Sequence, residues 1–202
     1  MATLISYQSR FEPTSPVDPV WNRVPAVAVA TVATPQGMQT SEYIKKTYRD
    51  GEWGNIHQLS VKGWQTRHSL NLLLEFTSAS DSRQLLGPDH FLDRVAVFFP
   101  SDKHTLFMTM GSPESPGILW SWRADGKAEV LEARGAGTIK ALSAEGLKVQ
   151  AERNGGAWKV LMSGPQVLVE RRFALAVWSG AHQERGGLKA FSPQWVELDA
   201  LE

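Results

Sequence analysis

Gly117-Ile118-Leu119-Trp120-Ser121-Trp122-Arg123 and Lys127-Ala128-Glu129-Val130-Leu131-Glu132-Ala133 are joined by Ala124-Asp125-Gly126. Two short segments rich in branched and aromatic residues, separated by an Asp-Gly pair, signal a β-hairpin, because the tight turn needs residues that tolerate a left-handed backbone. The pattern repeats outward from here. Leu147 to Arg153 and Ala157 to Met162 flank Asn154-Gly155-Gly156, a second hairpin. His57 to Val61 alternates polar and apolar residues as a half-buried strand does. Val24 to Ala33, Leu70 to Phe76, Arg94 to Phe99, His104 to Met110 and Phe173 to Ser179 read as further strands. So does Lys189 to Leu198, after the Gly-rich loop Gly180 to Gly187. Tyr43 to Glu52 carries a helical turn ahead of Asp50-Gly51. Strands at this frequency predict a mainly β chain, an antiparallel β-sandwich with a few short helical segments. The expectation is one domain over residues 1–202, with 1–17 and the proline-rich stretch Pro13 to Pro25 as an extended lead-in.

Composition narrows the function classes. The 202 residues include 21 basic and 21 acidic side chains, so no global field draws the chain to nucleic acid or to a membrane surface. Cysteine is absent, which removes disulfides, thiolate metal sites, iron–sulfur clusters held by this chain and a Cys-x-x-Cys-His haem attachment. No apolar run approaches the roughly 18 residues that span a bilayer. No signal peptide is read at Met1, which fits a processed form or export with a partner.

The chemistry-bearing residues each admit a bland reading. Eight tryptophans are many for this length, and Trp120 and Trp122, two apart, share one strand face. They are core filler, or an aromatic wall for a sugar ring or a porphyrin. Met108 and Met110 precede Gly111; a strand methionine is ordinarily core, yet a thioether is also a good axial ligand for haem iron. Lys189 follows Glu184-Arg185-Gly186-Gly187, and such lysines usually reach for solvent. To bind a metal, its amine must lose a proton, which burial and a competing metal ion both favour. His57, His68, His90, His104 and His182 show no metal-ligand spacing, although His182 near Lys189 is a rival ligand. Asp89 and Asp93 read as loop and cap residues, and no Ser/His/Asp set or phosphate-binding glycine motif is present.

Several segments taken in order resemble the haem-binding gamma subunits of the ethylbenzene dehydrogenase, dimethylsulfide dehydrogenase, selenate reductase and chlorate reductase family. They are Asp18-Pro19-Val20-Trp21, Asp93 to Pro100, Met110-Gly111, Trp120 to Ala124, Asn154 to Val160, and Phe173 to Gly180 running into Glu184 to Ser192. The resemblance spans roughly Asp18 to Leu198. It implies a β-sandwich with a b-type haem held inside and axial ligands at Met110 and Lys189, with Met108 taking the first role if the register slips by two. It makes Trp120, Trp122, Phe107 and Phe191 candidate cofactor-binding walls, and Arg123, Arg172 or Arg185 candidate partners for a haem propionate. It also implies a non-catalytic electron-transfer subunit of a periplasmic enzyme. Such a subunit sits beside an iron–sulfur beta subunit and a molybdenum-containing alpha subunit, and exchanges single electrons with a soluble c-type cytochrome or similar redox partner. The competing expectation is a carbohydrate-binding sandwich without haem, for which exposed coplanar tryptophans would speak.

Overall fold

The computed structural model of the chain describes residues 2–49, 51–79, 81, 83–84, 87, 90–166 and 170–200. Its strands are β1 (Ala2–Gln8), β2 (Val27–Ala30), β3 (Val32–Ala33), β4 (Gln58–Gln65), β5 (Ser69–Thr77), β6 (Arg94–Pro100) and β7 (Gly117–Arg123). They continue with β8 (Ala128–Ala133), β9 (Lys140–Leu142), β10 (Lys148–Asn154), β11 (Ala157–Pro165), β12 (Arg172–Trp178), β13 (Ala190–Phe191) and β14 (Val196–Ala200). The helix α1 spans Glu42–Thr47, and 3-10 turns cover Pro19–Arg23, Gln36–Met38 and Gly180–His182.

These strands form one curled sheet that folds into two layers. The first layer runs β10-β11-β5-β4-β1-β14, and the second β12-β6-β7-β8-β9, with β14 bridging to β12 through Arg172–Glu197 and Phe173–Val196. Neighbours are antiparallel except around β1, which pairs in parallel with both β14 and β4. The two expected hairpins are present. At the Asp125-Gly126 turn, the Arg123 amide donates to Lys127 O at 3.0 Å and the Lys127 amide to Asp125 Oδ1 at 3.2 Å.

Alternation along the strands builds the interior. Val95, Val97 and Phe99 of β6, Trp120 and Trp122 of β7, and Phe173, Leu175 and Val177 of β12 point inward, and they meet Leu59, Val61, Leu70, Leu72, Leu74, Val160 and Met162 from the first layer. The opposite face of the second layer is also apolar: Ala96, Phe98, Leu119, Leu131, Ala133, Ala174 and Trp178 form a separate cluster there. A strand apolar on both faces must be covered on both. The outer face of the first layer is covered by the N-terminal segment, where Trp21 and Val24 meet Trp64, Leu73 and Leu161.

Four sequence expectations change. Val24 to Ala33 is two strands rather than one, with β2 pairing to β4 and β3 to β13. His104 to Met110 is not a strand. Asp102 Oδ1 accepts from the His104 amide at 2.7 Å and the Thr105 amide at 3.0 Å, and the chain then coils through successive turns. Within the extended lead-in, Ala2–Gln8 is a paired strand. Lys189 to Leu198 splits into β13 and β14, which belong to different parts of the sheet. Asp50 of the expected turn and Asp89 lie outside the described residues.

Asp93 is fully buried, and its carboxylate accepts from Ser78 Oγ (2.9 Å), the Gly180 amide (2.9 Å) and Trp158 Nε1 (2.8 Å), joining both layers to the loop after β12. Removing an acceptor from buried donors costs their desolvation. Asp93→Ala is therefore expected to destabilise the chain by about 3 kcal/mol, read as a lowered urea midpoint at unchanged slope.

Candidate functional site

The apolar outer face of the second layer is the floor of a cavity of about 270 Å³. Ala96 on β6 and Ala174 and Ala176 on β12, the first and last of them register partners, leave the floor thin and flat. Leu119 and Leu131 continue it. Three loops make the walls. One holds Phe107, Met108 and Met110, a second Ala136, Gly137 and Ile139, and a third runs from Thr34 to Thr40. Lys189 and Phe191 complete the ring together with Gly186 and Gly187.

The methionine loop is tied at its base. Ser101 Oγ and Thr105 Oγ1 both donate to Pro116 O, at 2.7 and 3.0 Å. Met110 then takes φ = 59°, a left-handed conformation rare for a residue with a long side chain. Three backbone bonds hold it there: its own amide to Phe107 O (3.0 Å), the Gly111 amide to Leu106 O (2.8 Å) and the Gly135 amide to Met110 O (3.0 Å). Gly111, at φ = 79°, is pressed against Ser115 O and Ala133 O, with no room for a Cβ. The result is a partly buried Met110 set against the outer apolar cluster, whereas Met108 is 40% exposed at the rim.

Lys189 is fixed by different means. Its carbonyl accepts from the Thr34 amide at 2.9 Å and from Thr34 Oγ1 at 3.2 Å. The preceding loop is clamped by Glu184, itself buried, which accepts from the Gly54 and Asn55 amides (2.8 and 2.9 Å), Asn55 Nδ2 (3.0 Å) and the Ser179 amide (2.8 Å). Gln39 donates to Gly187 O at 3.0 Å and lies where a side chain at position 187 would go. Among the described residues the Lys189 amine has no ion-pair or hydrogen-bond partner, and it faces the Trp178 ring at 5.7 Å. Burial, reinforced by the Arg94 guanidinium, pushes its pKa from 10.5 down to about 8.

Of the residues singled out in the sequence, Met110, Lys189, Phe107 and Phe191 come together in this cavity, with the two phenyl rings 6.4 Å apart. Trp120 and Trp122 do not. They share a strand face as expected, but it is the inner one, where Trp120 meets Phe99 at 4.8 Å and Trp122 meets Trp158 at 4.8 Å. The cavity side of β7 belongs to Leu119. His182 is exposed and engaged with Ser179 Oγ at 2.8 Å, away from the cavity lining. Arg123 pairs with Asp125, Arg172 with Lys103 O and the Trp195 ring, and Arg185 with Tyr48 and Phe91, and none of these arginines lines the cavity. The lining residues that sequence reading passed over are Arg94, Trp178 and the strap 34–40.

The described lining thus joins an alanine floor, an amine of lowered pKa and the thioethers of Met38, Met108 and Met110, and among the described residues it holds no carboxylate; Met38 and Met108 are exposed and Met110 is partly buried. Among the described residues, no group of three or more His, Cys, Asp or Glu could hold a bare metal ion. No helix of the described residues is long and apolar enough to cross a membrane.

Known proteins similar to the chain place it in a family and a fold. The chain is 30% identical over 199 residues to a Haloferax mediterranei open reading frame product assigned as a respiratory nitrate reductase heme subunit, covering 93% of this chain and 68% of that protein. It is 30% identical over 196 residues to chlorate reductase subunit gamma of Ideonella dechloratans, covering 91% of this chain and 78% of the relative. It is also 30% identical over 202 residues to dimethylsulfide dehydrogenase subunit gamma of Rhodovulum sulfidophilum, with coverages of 91% and 74%. No family model matches the chain. In fold it is similar to a family 9 carbohydrate binding module from Caldicellulosiruptor kristjanssonii solved with cellotriose, at a TM-score of 0.58 and 9% identity over 99% of this chain and 95% of that one. A carbohydrate-binding protein from Bacteroides uniformis gives a TM-score of 0.55 at 8% identity over 99% of both chains.

Two outcomes follow from the geometry in the haem-free chain. A left-handed backbone favours glycine over alanine. Met110→Gly should therefore be more stable than Met110→Ala by about 1 kcal/mol, the reverse of the order in a helix or strand, as read by thermal or urea unfolding. For Lys189, the folded state loses its proton near pH 8 and the unfolded state near 10.5. Below pH 8 the folded chain carries the full cost of the charged amine, and between the two values the unfolded state binds more protons, so stability rises with pH. Lys189→Met should be the more stable variant at pH 7, by up to about 3 kcal/mol, and its advantage should shrink between pH 8 and 10.5.

Proposed function

The chain belongs to the family of haem-binding gamma subunits that includes those of chlorate reductase and dimethylsulfide dehydrogenase, and from that premise we propose that its cavity holds one b-type haem between Met110 and Lys189. As a family member it is a haem-carrying electron-transfer subunit, not a catalytic one. The observation that carries the ligand proposal is that Met110 and Lys189, far apart in sequence, stand in the walls of one cavity whose described lining holds no histidine or carboxylate, and that Met110 is partly buried there while the other two lining methionines, Met38 and Met108, are exposed.

Bound there, the haem would supply a one-electron carrier whose potential thioether ligation raises. Everything else falls to the chain's own residues. Lys189 offers an amine that gives up its proton readily: a pKa of about 8 leaves roughly one molecule in ten neutral at pH 7, against about one in three thousand at 10.5. The Met110 backbone is pre-set by its turn, which places the residue in the cavity wall. Phe107, Phe191 and the alanine floor exclude water. Were Met110 and Lys189 both to hold the iron, no position would be left for a substrate or dioxygen. The b-type assignment rests on the absence of cysteine, which leaves no thiol for covalent attachment.

The partners we propose are an iron–sulfur beta subunit and a molybdenum-containing alpha subunit of a periplasmic enzyme on one side, and a soluble c-type cytochrome or similar carrier on the other. Residues 1–202 serve in this reading as a single haem-binding unit. The carbohydrate-binding alternative shares the fold but lacks its platform: seven tryptophans are buried and Trp195 is partly buried, so no exposed indole is offered to a sugar.

Absorption spectra of the oxidised and dithionite-reduced chain, with a pyridine haemochrome assay, are expected to give a sharp reduced alpha band and a b-type haemochrome. A featureless spectrum after haem reconstitution would sink the proposal. Met110→Ala should lower the reduction potential and weaken haem retention, while Met108→Ala leaves both unchanged. Lys189→Ala should open a coordination position, seen as carbon monoxide binding by the reduced variant.

A further inference from the structure

Among the described residues lining the cavity, Arg94 and Lys189 alone are charged, and both are cationic. When Lys189 serves as a neutral amine, Arg94 is the one formal charge left in the wall. Its position is built rather than incidental. Arg94 opens β6 on the same face as Ala96 and Phe98, its Nε donates to the buried Ser121 Oγ at 2.8 Å, and its guanidinium lies 5.2 Å from the centre of the Trp178 ring. The Lys189 amine rests against that same ring. The counter-charge is incomplete. Glu129 reaches Arg94 Nη2 at 3.4 Å but holds Lys127 more closely, at 2.9 Å, so one carboxylate is shared between two cations. A guanidinium does not lose its proton in a protein, so this charge is permanent.

We infer that Arg94 is a positioning charge that sets the reduction potential of the bound haem, holding it higher than the axial ligands alone would. The inference rests on the haem reading above and deepens it. The oxidised site carries one more positive charge than the reduced site, so a fixed cation in a low-dielectric wall disfavours oxidation. Ser121 and Trp178 keep the guanidinium from swinging out to solvent, where water and salt would screen it.

The test is a spectroelectrochemical titration of the haem-loaded chain at low ionic strength. Arg94→Gln should lower the midpoint while the low-spin spectrum of the oxidised form stays intact, and Arg94→Lys should recover most of the difference. Glu129→Gln removes the shared negative charge without touching the cavity lining, and should move the midpoint upward. An Arg94→Gln midpoint equal to the parent's overturns the inference, as does an equal fall in Arg94→Lys, which would point to lost packing rather than lost charge. Should Arg94→Gln fail to fold, an unmoved midpoint in Glu129→Gln overturns it. Failure of the parent chain to take up haem at all is a different result, and it removes the proposed function together with this inference.

Discussion

Strands β6 and β12 are apolar on both faces, and the rest of the molecule is arranged around that fact. Their inward faces carry Val95, Val97, Phe99, Phe173, Leu175 and Val177, which fill the space between the two layers. Their outward faces carry Ala96, Ala174 and Ala176, with Phe98 and Trp178 at the margins. Leaving such a face in water forfeits about 25 cal/mol for each Å² of apolar surface. The loops after β3, β6 and β8 rise over it, yet the small side chains beneath them leave the cavity. Bulky residues inward make the core, and small ones outward make the site.

The loops reach that cover because buried carboxylates tie them down. Asp93 and Glu184 accept from the consecutive amides of Gly180 and Ser179, and so fix the exit of the chain from β12. Each also reaches a distant part of the fold, Asp93 the Trp158 indole and Glu184 the amides of Gly54 and Asn55. Most of these contacts satisfy donors that would otherwise be buried without a partner. Lys189 therefore arrives at the cavity from a rigid approach. Met110 arrives on a turn that holds a left-handed backbone, a local cost that the surrounding hydrogen bonds sustain. Both elements that carry the proposed ligands are thus pre-set, one by polar anchoring and the other by a strained turn.

Much of this was legible in the sequence, and the departures have physical causes. Hairpins marked by Asp125-Gly126 and Asn154-Gly155-Gly156 are local, and their turn chemistry is decisive. β1 was not legible, because its partners in β14 and β4 are remote and only Leu4 and Ser6 of its residues are buried. His104 to Met110 has the composition of a strand, but the Asp102 side chain captures the amides that a strand would use. Trp120 and Trp122 were rightly placed on one face, but alternation alone does not say which face is which when Leu119 on the other side is buried too. Arg94 looks like a solvent-facing strand end until Ser121 and Trp178 are seen to hold it. The likeness to haem-binding gamma subunits pointed to Met110 and Lys189 as the expected ligands, and only the fold could show that they share a cavity.

The fold itself does not choose the ligand, since solved relatives in fold at 8 to 10% identity include modules crystallised with glucose or cellotriose. Physical features of this chain separate the alternatives. A sugar is a polyol and demands an aromatic face in reach of solvent together with hydrogen-bonding groups, whereas a haem demands an apolar cavity with metal donors in its walls. Here every tryptophan is buried or partly buried, the floor is paved with alanine, and the charged groups in the described lining are an amine of lowered pKa and a guanidinium. An amine without an ion partner among the described residues, set in an apolar wall, destabilises the empty protein. In the proposed haem site the bound iron would take the place of the proton, so the instability of the empty cavity and the proposed ligation by Lys189 would have the same origin.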